Sequence, residues 1–338
     1  MDSNTQTKLG GRLSPFNAWA FALGTAVGWG SLVVTANNYL GQAGPMGSVL
    51  GIVLGTLIML IVARNYAYMM QIYPDAGGAY TFSREVFGYD HGFLTGWFLT
   101  LTYLAVLWAN ATSIPLFTRY FLGGVLQIGK MYTIFGYDVY FGETLVTIAV
   151  ILATALLCMR DHKLTIALMT GLACLFFAGI AGVFAAAMLG LKLPMQPQYI
   201  PDASALSQIV KIAVITPWAF IGFESISHRT EEFAFPHRKI FRVMVAALIA
   251  TGLLYAFVTL LSVTAYPDRY GSWLEYIRDR GNLSGIEALP AFYAAHHYLG
   301  EGGVWLLMAS LMASVCSEAC CRERCSRCSK SASVAWCR

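Results

Sequence analysis

A chain of 338 residues that is 57% hydrophobic and only 12% charged lies far outside the soluble norm of roughly 25% charged residues. A net charge of only +4 implies no polyanion partner, so no nucleic-acid partner is expected. The apolar runs point instead to a lipid bilayer as the main solvent, with basic residues acting as topology marks.

A hydrocarbon core of about 30 Å takes roughly 20 apolar residues of helix. On that measure the candidate spans are Phe16–Leu40, Pro45–Tyr68, Gly92–Phe121, Gly142–Met159, Leu164–Leu191, Leu206–Ser227, Val243–Tyr266 and Pro290–Val315, about eight in all. Turn signals at Gly41–Pro45, Pro74–Gly78 and Pro194–Pro201 separate several of them. Residues 1–14 form a short polar tail carrying Lys8 and Arg12, and the apolar segment behind it is too long for a cleaved leader. With that tail in the cytoplasm, the inner loops collect Arg64, Arg84, Arg160, Lys163, Arg229, Arg238, Lys239 and Arg242. The outer loops hold fewer basic residues, most of them offset by acids. The expectation is a multi-pass protein of the cytoplasmic membrane with its N-terminus inside.

The first span is interrupted by Gly24-Thr25-Ala26-Val27-Gly28-Trp29-Gly30. Three glycines weaken a helix by about 1 kcal/mol each relative to alanine. Unwound backbone in a membrane survives where it is buried in protein or lines a polar cavity, and its free N–H and C=O groups can hold a charged solute. Gly24-xxx-Gly28 is equally a small-residue packing face. Spacing alone leaves both readings open.

In the sixth span a second interruption reads Thr216-Pro217-Trp218-Ala219-Phe220-Ile221-Gly222-Phe223-Glu224-Ser225. Pro217 removes a backbone donor and Gly222 loosens the next turn. Glu224 sits in an apolar run, where a carboxyl costs about 2.5–3.5 kcal/mol or more to insert. That cost points to a coupling or gating group. The alternative is a protonated or hydrogen-bonded carboxyl with a purely structural role. Val27-Gly28-Trp29-Gly30-Ser31 also aligns with Ile221-Gly222-Phe223-Glu224-Ser225, five spans later. An odd separation gives the two copies opposite topology, as in an inverted-repeat transporter.

These motifs, together with Pro74-Asp75-Ala76-Gly77-Gly78-Ala79-Tyr80, Gly88, Gly96-Trp97 and the loop from Glu231 to Lys239, resemble the amino acid–polyamine–organocation permeases over about residues 12–315. The resemblance implies an all-α polytopic membrane protein of the LeuT-type inverted-repeat fold, with about eight of the usual twelve helices present. It implies secondary transport of amino acids or related amines by alternating access around broken helices 1 and 6, coupled to H+, Na+ or a counter-substrate. In that picture the backbone of Thr25, Ala26, Val27, Gly28, Trp29 and Gly30 receives the substrate carboxylate. Carbonyls near Trp218, Ala219, Phe220 and Gly222 receive the amino group, with Trp218 as an aromatic wall. The loop from Glu231 to Lys239 becomes a cytoplasmic structural or gating element. Asn110 is taken as a substrate-facing group of the third span, where Tyr103, Trp108, Thr112 and Ser113 are further polar or aromatic candidates. The lysine that replaces sodium in some relatives' fifth helix has no counterpart before Lys192.

No metal and no other cofactor are expected. His296, His297 and Glu301 lack a metal-ligand spacing. An intramembrane enzyme using Glu224 or that histidine pair is the reading from another class, and no nucleophile–base pair supports it. Six of the eight cysteines lie between Cys316 and Cys337 in a Cys/Arg/Ser-rich segment unlike the rest of the chain. Residues 316–338 are therefore read as a frameshifted or non-native tail, or as a cysteine-rich regulatory one. The domain from 15 to 315 would then have an incomplete second repeat, and a non-transporting fragment or regulatory subunit is the rival function.

Overall fold

The computed structural model describes residues 13–28, 35–134, 137–160, 162–190, 195–201, 203–283 and 285–311. Residues 316–338, with their cysteines, lie outside that set, as do Trp29, Gly30 and Lys192.

Helix α1 (Pro15–Ala26) starts where Ser14 caps it, its hydroxyl accepting the Asn17 N–H at 3.2 Å, with Pro15 at the first turn. Every residue from Ala20 to Ala26 is buried, which makes α1 central rather than lipid-facing. From Thr35 the described chain runs through a π-helical turn (Thr35–Tyr39) and continues as α2 (Leu40–Ile72). The Gly41–Pro45 signal proves to be a kink inside this helix. Gly44 takes φ 66°, and the Met46 N–H beyond it donates to the Gln198 carbonyl at 3.1 Å.

Short α3 (Ala79–Phe87) and long α4 (Tyr89–Ala111) follow, then α5 (Ser113–Leu122). Along α4 only Gly92 and Asn110 are buried. Strands β1 (Lys130–Ile134) and β2 (Tyr137–Tyr140) make an antiparallel hairpin that the hydropathy pattern does not reveal. It is held to the bundle by Arg119. That guanidinium forks onto Glu143 at 2.6 and 2.7 Å and lies 4.2 Å from the Tyr137 ring.

Helices α6 (Phe141–Arg160), α7 (His162–Gly190) and α8 (Ala205–Ile215) come next. Helix α8 gives way to two 3-10 segments, Thr216–Phe220 and Phe223–Glu232. Helix α9 (Ile240–Leu261), α10 (Trp273–Asp279) and a helix over residues 290–311, α11, complete the described chain.

Five helices are long and apolar enough to cross a membrane among the described residues: Asn37–Ile72, Tyr89–Leu116, Ile166–Gly190, Ala205–Glu232 and His237–Leu261. The other expected spans differ for physical reasons. The first is interrupted, the fourth contributes the shorter apolar stretch Phe141–Ala153, and residues 290–311 carry His296, His297 and Glu301.

The core forms where α2 runs between α8 and α9. Small residues permit that approach: a Cβ on Gly55 would come within 2.5 Å of Thr216, and one on Gly252 within 2.6 Å of Thr56. Helix α1 packs against α7 and α9, with Thr170 donating to Asn17 at 3.2 Å.

Below α1 the chain is laced to the loop after the sixth span. The Leu13 N–H donates to the Glu232 carbonyl and the Ala234 N–H to the Leu13 carbonyl, both at 2.9 Å. Beside them Arg229, 3% exposed, spans both Glu232 oxygens at 2.8 Å and lies 5.1 Å from the Phe21 ring. Removing one partner of such a pair strands a buried charge. Glu232→Gln is therefore expected to destabilise the protein by about 3 kcal/mol. Thermal unfolding in detergent micelles reads this, and an unchanged midpoint would show that Arg229 gains nothing from Glu232.

Candidate functional site where two helix breaks cross

The two interruptions begin at matched residues. Val27 leaves helical geometry at φ −109°, ψ 105°, and Ile221 does so at φ −56°, ψ 129°. Each is followed by a glycine on which another segment packs closely. A Cβ on Gly28 would stand 2.6 Å from the Asn110 side chain. Gly222, at φ 114°, lies so close to the Thr25 carbonyl that a Cβ would overlap its oxygen. The breaks therefore meet backbone to backbone, with Gly222 on Thr25.

Gly24 takes no part in the unwinding and stays within α1. Thr25 is 2% exposed, and its hydroxyl turns back onto its own helix, 2.9 Å from the Phe21 carbonyl and 3.2 Å from that of Ala22. Its carbonyl, not its hydroxyl, faces the crossing. Ala26 and Val27 are also buried. Trp29 and Gly30 fall outside the described residues.

On the other break Ala219 and Phe220 are buried, whereas Trp218 remains 43% exposed. The Trp218 carbonyl accepts the Ile221 N–H at 3.2 Å. Tyr255 of α9 joins the two breaks. Its hydroxyl lies 3.1 Å from the Ala26 carbonyl and 2.5 Å from that of Ala219, and its ring meets Phe220 edge-on at 5.5 Å.

Glu224, 8% exposed, is held at both carboxyl oxygens. One accepts the Gly222 N–H at 2.8 Å and the other the Tyr103 hydroxyl at 3.0 Å. The carboxyl is thus bonded to the very residue that turns the break. Tyr66 of α2 closes the near side, its ring 5.7 Å from Phe223.

The third-span candidates separate once folded. Asn110 is 3% exposed and lies against Gly28, and Tyr103 reaches Glu224. Ser113 is buried and donates to the Asn110 carbonyl at 2.7 Å, whereas the Thr112 hydroxyl turns back to Ala109. Trp108 is 67% exposed and points away. Sequence reasoning missed Tyr255 and His228 entirely. His296 and Glu301 form an exposed pair at 3.3 Å, and no cluster of three potential metal ligands occurs among the described residues.

Several membrane-length helices, one of them broken where it meets the buried end of α1, define a multi-pass membrane protein of the broken-helix kind. The chain belongs to the amino acid permease family, which matches residues 13–316 and is a family of transporters rather than enzymes. It is 23% identical over 270 residues to the branched-chain amino acid permease BcaP of Bacillus subtilis, covering 75% of this chain and 55% of that one. It is 24% identical over 226 residues to the low-affinity putrescine importer PlaP of Escherichia coli, covering 63% and 45% respectively. A vacuolar cationic amino acid transporter of Arabidopsis thaliana is 24% identical over 319 residues, covering 92% of this chain and 52% of that one. The chain thus spans about half the length of the curated relatives it matches.

Proposed function

We propose that this chain acts in secondary transport of amino acids or related amines across the cytoplasmic membrane, with its N-terminus inside, by alternating access around the crossed breaks. The observation that carries the reading is the contact of Gly222 with the Thr25 carbonyl, which brings the sixth-span break against the end of α1 in a buried core. The end of α1 at Thr25–Gly28 suits a substrate carboxylate, and the turn at Trp218–Gly222 suits an amino group. Asn110 lies beside the first and the half-exposed Trp218 beside the second. An ammonium over an indole face gains about 0.5–2 kcal/mol. The substrates named for these three relatives each carry an amino group, which agrees with amine recognition at this point. Glu224 is the coupling group for H+ or Na+, because its bond to Gly222 ties the charge to the geometry of the break.

The test is uptake of labelled branched-chain amino acids, arginine and putrescine into liposomes holding the purified chain. Uptake above empty vesicles is expected for one substrate class. Glu224→Gln is expected to lower ion-driven accumulation at least about tenfold while substrate binding persists, as for a group that couples rather than binds. Unchanged accumulation would remove Glu224 from the site. The second reading is a membrane subunit or fragment that binds solute without moving it. Binding without uptake would favour that reading.

A further inference from the structure

Beyond the Glu224 carboxyl a line of polar groups leads out of the break. Tyr103 Oη lies 3.0 Å from Glu224 Oε1 and 3.4 Å from His228 Nε2. His228 Nδ1 lies 3.1 Å from the carbonyl of Ala76, in the loop that ends the second span. A carbonyl only accepts, so Nδ1 carries a hydrogen whichever charge state the ring adopts. Nε2 is therefore the nitrogen left to gain or lose a proton, and it is the one that faces the phenol. The loop can approach because Gly78 has no side chain: a Cβ there would come within 2.8 Å of the His228 ring and 2.5 Å of the Ser227 hydroxyl.

We propose that Tyr103 relays one proton between Glu224 at the helix break and the imidazole of His228, which lies against the Pro74–Gly78 loop at the end of the second span. This role rests on the transport reading above. In one state Glu224 is a carboxylic acid, and its Oε1–H donates to Tyr103, whose own O–H donates to a neutral His228 Nε2. In the other state Glu224 is a carboxylate accepting from Tyr103, and His228 is an imidazolium whose Nε2–H donates to the phenol. One proton has then moved from carboxyl to imidazole. The phenol has given one proton and taken another, so it stays neutral throughout. No oxidant or further reactant is needed.

The charged and titratable groups around the path are few. Tyr66 approaches from α2, Asp75 from the loop and Tyr103 from α4, while Glu224 and Arg229 share the segment of His228. Asp75 is turned onto the Gly77 N–H at 3.2 Å, and Arg229 is engaged by Glu232 at 2.8 Å. Arg84 of α3 is engaged by Glu85 at the exposed surface. The carboxyl with a route through phenol and imidazole is Glu224.

Two measurements test the path. In the first, histidine-labelled protein in nanodiscs is titrated by NMR, with His228 identified by the signal lost in His228→Gln. Nδ1 is expected to stay protonated throughout, and the Nε2 midpoint to move by about one unit in Glu224→Gln, as for coupled sites. An unmoved midpoint, or a proton lost from Nδ1, would overturn the path. In the second, substrate-driven proton entry into liposomes is expected to fall at least tenfold in Tyr103→Phe and in His228→Gln, with substrate affinity retained in His228→Gln. Undiminished proton entry in both variants would also overturn it. Absence of uptake by the unmodified chain would count against the transport reading alone, since the NMR titration needs no transport and still decides whether Glu224 and His228 share a proton.

Discussion

Gly222→Ala is expected to be among the most damaging single-methyl additions in this protein. Two independent costs meet at the site. The backbone at φ 114° is one that L side chains rarely adopt, at roughly 1–2 kcal/mol. The added Cβ also overlaps the Thr25 carbonyl oxygen, and overpacking a filled core costs a further 1–3 kcal/mol or so. Neither break can yield freely, because Tyr255 holds both and Glu224 holds the Gly222 N–H. The expected outcome is a loss of about 2–5 kcal/mol, the sum of those two costs, with substrate binding abolished. Gly182→Ala is the matching control, since a Cβ on that glycine of α7 meets nothing within 4 Å. It is expected to be neutral or slightly stabilising. Thermal unfolding of the two variants in the same detergent decides the matter: equal midpoints would mean that the crossing is not tightly packed.

The crossing was half legible in the sequence. Glycine and proline in apolar runs mark weak helix, and both breaks were placed from them, together with the alignment of Val27 with Ile221 and Gly28 with Gly222. Gly24 belongs to the same glycine cluster yet stays helical, because helical neighbours on every side tolerate a buried glycine there. The partners of the breaks were not legible. Tyr103 meets Glu224 across 121 positions of sequence and Tyr255 meets Ala26 across 229, and no local pattern encodes such separations. Helix α9 is apolar on nearly every side, so periodicity gives Tyr255 no distinguished face. His228 lies in a polar stretch read as the start of a loop, whereas the chain continues in 3-10 geometry through Glu232 and keeps the ring beneath the second span. The β1–β2 hairpin escaped notice because its fixing point, Arg119 on Glu143, is again a contact between distant segments.

Tyr255→Phe is expected to separate the function of the crossing from its stability. The substitution keeps the ring, and with it the edge-on packing against Phe220, so no cavity opens. What disappears is one hydroxyl proton shared between the Ala26 and Ala219 carbonyls, which lie on opposite breaks. Losing a buried donor costs about 1–3 kcal/mol, and hydrogen bonds within membrane proteins fall toward the low end of that range. The fold should therefore survive, with a small drop in unfolding midpoint. Substrate affinity should fall further, by at least about tenfold, which corresponds to 1.4 kcal/mol at the site. The reason is geometric: the hydroxyl fixes the spacing between the end of α1 and the turn at Ala219, which a carboxylate and an ammonium must reach together. Binding energy that depends on two anchors is lost when their separation is free to vary. If the midpoint falls and the affinity does not, Tyr255 is a packing residue that happens to lie between the breaks. If affinity falls with little change in midpoint, the distance between the breaks is what the substrate reads.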